Sequence, residues 1–214
     1  MMKIYQEIFG FVFKEIDYED RWYKDVKSYS VYTKEGKLQG IFFLDLYPRE
    51  GKYTHACCEN IQNSSIIDGD HALPVACMIC NFPPSTAEIP STISHDDVNT
   101  LFHEFGHLIH VMCNDQRICS FGSFCEETDF VETPSQLMEQ WTWQKPVLQR
   151  LSHHFKTGEP LPDALIDNLI NSKNHCSALF NLRQLSFGIF DYKVHSEELT
   201  EPVLNVYQKV LKEV

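Results

Sequence analysis

Residues 95–114, HDDVNTLFHEFGHLIHVMCN, constrain the fold of this chain more than any other stretch. Their pattern predicts a long helix with two unlike sides. At about 100° per residue, Val98, Leu101, Phe102, Phe105, Leu108, Ile109 and Met112 gather into one core-facing stripe. Asn99, Thr100, His103, His107, His110 and Asn114 gather opposite. Ser94 suits the N-cap, and Asp96 and Asp97 sit near the positive end of the helix dipole. A row of histidines on so apolar a helix calls for something polar in front of it.

His103 and His107 are four residues apart, which stacks their rings one turn apart on one face. Two imidazoles so placed can reach one Zn²⁺ at about 2.0–2.1 Å. Glu104 lies about 100° round from His103 and flanks the pair, where a carboxylate can take a proton from an activated water. H-E-x-x-H is therefore a spacing with a mechanism. Taken alone, it also fits a helix whose histidines cap carbonyls or face solvent. A catalytic zinc needs a third protein ligand and one open position. The segment CEETDFVETPSQLMEQW offers Glu126, Glu127, Asp129 and Glu132, and position alone does not choose among them. Glu132 heads the next helical pattern, which has to pack on the first to close a site. Glu139, seven residues on, shares its face. Glu127 and Asp129 suit the role of acceptors for the far ring nitrogens of the ligand imidazoles. A solvated turn is the plain alternative for such acids.

Around this helix the chain reads as mainly α with a small sheet near the N-terminus. SYSVYT and LQGIFFLDLY flank Lys34-Glu35-Gly36-Lys37 and predict a hairpin over 28–46. LPVACMICNF at 73–82 predicts a buried strand, and FPPSTAEIPST at 82–92 a loop. Helical patterns follow at 133–155, with Pro134 near the start, and at 162–171, 174–195 and 201–213. The division expected is a sheet region at 28–82 and a helical, zinc-binding region at 95–214. Cys77 and Cys80 form a C-x-x-C with no second pair. Strand positions three apart face opposite sides, so these read as core residues, as does Cys57-Cys58.

The order of the segments GIFFLDLYPREGKYTHACC, DGDHALPVACMICNF, HDDVNTLFHEFGHLIH, TDFVETPSQLMEQW, TGEPLP and SALFNLRQLSFGIFDYKVH resembles the thimet oligopeptidase group of zinc metallopeptidases. The likeness runs from about Phe11 to His195, and HEFGHLIH followed by FVETPSQ is its most specific part. The resemblance implies His103, His107 and Glu132 as ligands of one zinc and Glu104 as general base. It implies a zincin-type catalytic core, and an endopeptidase for short peptides held in a deep channel. An extended peptide would add to the edge of the hairpin sheet. Members of the group are roughly three times longer, so the chain matches their central catalytic part. Their later His-x-x-Gly-Tyr segment, implied to bind the substrate carbonyl, has no counterpart here. The loop before Glu132, often Ser-Gly-Thr in the group, reads Phe121-Gly122-Ser123. Weak or absent cleavage is therefore expected, unless a complementary chain supplies the missing groups.

Bulk composition narrows the partners. With 214 residues, 43% hydrophobic and 22% charged, the chain has globular composition and enough length for a real core. A net charge of -12 argues against nucleic acid or anionic membrane. No apolar run is long enough for a transmembrane helix. Glu7, Lys14 and Glu15 interrupt the N-terminus too early for a signal peptide, which makes a cytoplasmic location the expectation. Most of the 8 cysteines are then expected to be free thiols.

Overall fold

The computed structural model describes every residue except Ser123, Cys125, Glu126 and Glu197. It divides into two compact units, Met1–Leu161 and Pro162–Val214.

The first unit is a mixed sheet with a helix laid across it. Helix α1 (Met2–Phe9) precedes strands β1 (Val12–Ile16), β2 (Lys27–Tyr32), β3 (Leu38–Asp45), β4 (Cys57–Gln62), β5 (Ser65–Ile67), β6 (Asp70–Ala72) and β7 (Val75–Ile79). Five strands pair in the order β1-β2-β3-β7-β4, while β5 and β6 form a separate hairpin. Pairing is antiparallel except between β3 and β7, which run parallel. The predicted hairpin and buried strand are both present, but the sheet is larger than they are. Because β1 covers β2 and β7 inserts beside β3, both hairpin strands are interior. The edge strands of the sheet are β1 and β4, so neither hairpin strand offers an edge to an extended peptide.

Helix α2 (His95–Cys113) is the predicted one. A capping box starts it: Asp97 N–H donates to Ser94 Oγ at 3.1 Å, and Ser94 N–H donates to Asp97 Oδ2 at 3.0 Å. Phe102, Phe105, Leu108, Ile109 and Met112 are fully buried against Val31, Phe42, Leu44, Ala76 and Met78 of the sheet. Each such side chain contributes roughly 1.5–3 kcal/mol by leaving water. That places the histidine side of α2 away from the sheet's interior, available to the next segment. On the sheet's other face, Cys77 packs with Val26 and Phe43, whereas Cys80 lies in the main core. Burial pushes the Cys77 thiol to about 11 and the Cys80 thiol to about 12, as inert core residues require.

The pattern at 133–155 does not form one helix. It gives α3 (Thr133–Glu139), a 3-10 turn (Gln140–Trp143) and α4 (Lys145–Leu151). Pro146, with no N–H and a ring that crowds the preceding turn, is tolerated only because a new helix starts there. The second unit holds α5 (Asp163–Ser172), α6 (Ser177–Ser196) and α7 (Val203–Glu213), close to the three predicted helices. Among the described residues, no helix is long and apolar enough to cross a membrane.

Candidate metal centre

Helix α3 lies directly on α2, and a glycine makes the approach possible. A Cβ at Gly106 would stand 2.8 Å from Ser135 Cα and 3.2 Å from Pro134 O. With no side chain there, the head of α3 comes within backbone contact of the histidine-bearing turn. Glu132 immediately precedes α3, and Pro134 in the first turn costs no hydrogen bond.

The outcome is a convergence of three side chains. Ligating atoms of His103, His107 and Glu132 all lie within 4.8 Å of one another. Glu132 Oε2 is 3.1 Å from His103 Nε2 and 3.1 Å from His107 Nε2. These separations approach the edge, about 3.3 Å, of a tetrahedron with bonds of about 2.0–2.1 Å. A His₂Glu donor set of neutral imidazoles and one carboxylate suits Zn²⁺ and leaves a fourth position open. The residues present therefore fit the metal.

The surroundings hold the donors in place. Ser135 Oγ donates to Glu132 Oε2 at 2.7 Å, and its hydroxyl also reaches Glu132 O at 2.9 Å. Burial raises the pKa of Glu132, but the Ser135 hydrogen bond and the two imidazoles outweigh it and hold the carboxyl below its ordinary value. His103 Nδ1 donates to Glu139 Oε1 at 2.6 Å, which turns Nε2 towards the centre. Asn99 Nδ2 donates to the other Glu139 oxygen at 3.1 Å, and Thr142 Oγ1 reaches Asn99 Oδ1 at 2.9 Å. His107 is 6% exposed and rests against Phe124, with ring centroids 5.5 Å apart. Burial, more than the opposing pull of Glu132, lowers its pKa and favours the neutral ring a metal needs.

Glu104 is 8% exposed. Burial raises its pKa, His103 opposes this, and Glu132 adds to it. A carboxyl so poised takes and returns a proton more readily than one in water.

The expectation for the far ring nitrogens is not met among the described residues. The carboxylate bonded to His103 Nδ1 is Glu139; Glu127 and Asp129 are exposed in the turn before α3 and bond neither imidazole. The reason is geometric. Glu139 is two helical turns beyond Glu132 on one face of α3, and from there it reaches His103. Glu126, the remaining acid of that segment, lies outside the described residues. Asn99, four residues before His103 on the polar side of α2, was the available signal for the Glu139 contact.

The profile of Peptidase family M3 matches residues 1–214. The chain belongs to peptidase family M3. It is 42% identical over 205 residues to saccharolysin of Saccharomyces cerevisiae, covering 92% of this chain and 29% of that protein. It is 43% identical over 197 residues to the thimet-like oligopeptidase of Dictyostelium discoideum, covering 90% and 29%. Against oligopeptidase A of Escherichia coli the identity is 40% over 199 residues, covering 92% and 29%. The chain thus spans 29% of the length of these M3 relatives.

Proposed function

We propose that this M3 chain is the catalytic part of a zinc-dependent metalloendopeptidase of zincin type that hydrolyses short oligopeptides. The observation that carries the reading is the single carboxylate oxygen of Glu132 lying 3.1 Å from both His103 Nε2 and His107 Nε2. The names of the relatives support the substrate class. Zinc, when bound, polarises the scissile carbonyl and brings the pKa of a water towards about 7. His103, His107 and Glu132 would hold it. Glu104 accepts the proton of the attacking water on its carboxylate and delivers it to the amide nitrogen as the amine leaves. Glu139 keeps His103 in one tautomer and one orientation.

The peptide is placed along β4. This strand ends the sheet, so its outward backbone edge can pair with an extended chain. The Cys57 and Cys58 thiols at its start are raised chiefly by burial, with Glu59 adding at Cys57, Cys77 at Cys58, and Glu104 at both. Helix α2, which carries Glu104, packs against β4, so the backbone edge and the proposed base are neighbours. The reading places the protein in the cytosol, in line with free thiols at Cys57, Cys58, Cys77, Cys80, Cys113, Cys119 and Cys176.

A second reading is favoured by the 29% coverage of the relatives. In it the chain folds and binds zinc but cleaves only with groups from a complementary chain. A quenched fluorescent peptide assay, with and without chelator, separates the two. Chelator-sensitive cleavage that disappears in Glu104→Gln supports the peptidase. One tightly held zinc with no turnover supports the second reading, and no zinc at all refutes both.

A further inference from the structure

A cleft of about 630 Å³ opens at the far end of β4, bounded by β4, the β5–β6 hairpin and the segment at 117–119. Its walls present Ile61, Ile66, Ile67 and Ile118, each 40–60% exposed. Four isoleucines facing solvent in one concave site are unusual on a folded surface and mark a place built to be covered. Arg117 stands at the same site and is exposed; among the described residues its guanidinium has no carboxylate partner.

The cleft is tied to the metal centre by the chain itself. Ile66 N–H donates to Arg117 O at 2.9 Å, and Ser64 Oγ donates to Gln116 O at 3.1 Å, so the hairpin and the segment after α2 form one wall. Asn63, just past β4, donates from Nδ2 to Cys119 O at 3.0 Å and fills the space that a side chain at Gly122 would need. Two residues further on, Phe124 rests on His107. The strand that packs on α2, the helix of Glu104, thus ends in the cleft.

We propose that this cleft is a specificity pocket of the peptide-binding site, taking an aliphatic side chain and rejecting a basic one. The proposal rests on the reading of the chain as a peptidase with its substrate along β4. An extended strand advances about 3.3 Å per residue, so Cys58 to Ile61 spans at most about 10 Å, across a register shift between Asn60 and Gln62. A peptide paired to β4 with its scissile bond at Glu104 puts the side chain three or four residues away into the cleft. The isoleucines select that side chain by apolar contact, and the exposed Arg117 repels Lys or Arg there.

The test uses the whole chain and fluorescein-labelled octapeptides with Ala, Leu or Lys three and four residues from the central bond, on either side. Anisotropy gives each dissociation constant, and cleavage rates are read in parallel. At the responsive position the Leu peptide binds about tenfold tighter than the Lys peptide. Arg117→Glu removes most of that ratio, and Ile118→Asp weakens the Leu peptide by about tenfold, while the Ala peptide is unchanged in both. Peptides that bind and are cleaved with the same Leu-to-Lys ratio in wild type, Arg117→Glu and Ile118→Asp overturn the pocket and leave the peptidase intact. Peptides that neither bind nor are cleaved by the wild type overturn both.

Discussion

Replacing Gly106 by Ala tests whether the metal centre depends on how closely α3 approaches α2. The new Cβ would meet Ser135 Cα at 2.8 Å and Pro134 O at 3.2 Å, both backbone atoms that cannot rotate away. Carbon atoms settle at about 3.5–4.0 Å, so the head of α3 has to retreat by about 1 Å. Overpacking of this kind costs about 1–3 kcal/mol, and the better helix propensity of Ala returns at most about 1. Ser135 is hydrogen-bonded to the Glu132 carboxylate, so the retreat draws Glu132 away from both imidazoles. A ligand displaced by about 1 Å is expected to weaken zinc binding by about 100-fold. Chelator competition measures the affinity, and thermal unfolding of the zinc-free chain measures the packing cost. The midpoint should fall by about 2–6 °C. A Gly106→Ala protein that binds zinc as tightly as wild type and melts at the same or a higher temperature refutes the reasoning, because propensity alone would then account for the site.

Other consequences are equally open to measurement. Glu139→Ala should weaken zinc binding by about 10- to 100-fold, whereas Asp129→Ala should leave it unchanged in the same titration. Glu104→Gln should keep zinc and lose cleavage, as zinc analysis beside a peptide assay will show. Asp45, 3% exposed, receives both Arg49 guanidinium nitrogens at 2.7 and 2.8 Å, Trp22 Nε1 at 2.8 Å, and Lys52 Nζ at 2.9 Å. Asp45→Ala strands the buried Lys52 charge and should destabilise the fold by about 3–5 kcal/mol in urea titrations. Burial alone would raise the Asp45 pKa, but these partners lower it from 3.8 to about 2. Its contribution of about 2 kcal/mol is complete above pH 4 and is lost as the pH falls through 2 to 4, an acid sensitivity that Asp45→Asn should lack.

Much of this molecule was legible in its sequence, for identifiable reasons. The stripe of α2 and its Ser94 cap are local signals, and both appear as read. The hairpin over 28–46 and the strand at 73–82 were visible because apolar runs ended in turn residues. Three features depended on contacts far apart in sequence. β4 carries Glu59, Asn60 and Gln62, too polar for a strand signal, and is recruited by pairing with β7. With β1 beside β2 and β7 beside β3 the hairpin is interior, and β4 becomes one of the two edges. Glu139 reaches His103 across 36 positions, a contact that no spacing rule within one helix supplies. Pro146 was in plain view but lay inside a strong helical pattern, and the break it forces became clear only with α4 in place.

The account stands most directly on one spectrum: zinc-edge X-ray absorption of the wild-type chain, recorded beside Glu132→Ala with the zinc content of each. It predicts one zinc per wild-type chain, bound by two imidazoles and a carboxylate oxygen, and loss of that metal in Glu132→Ala. A wild-type chain that takes up no zinc, or a Glu132→Ala chain with the same spectrum and affinity, contradicts it.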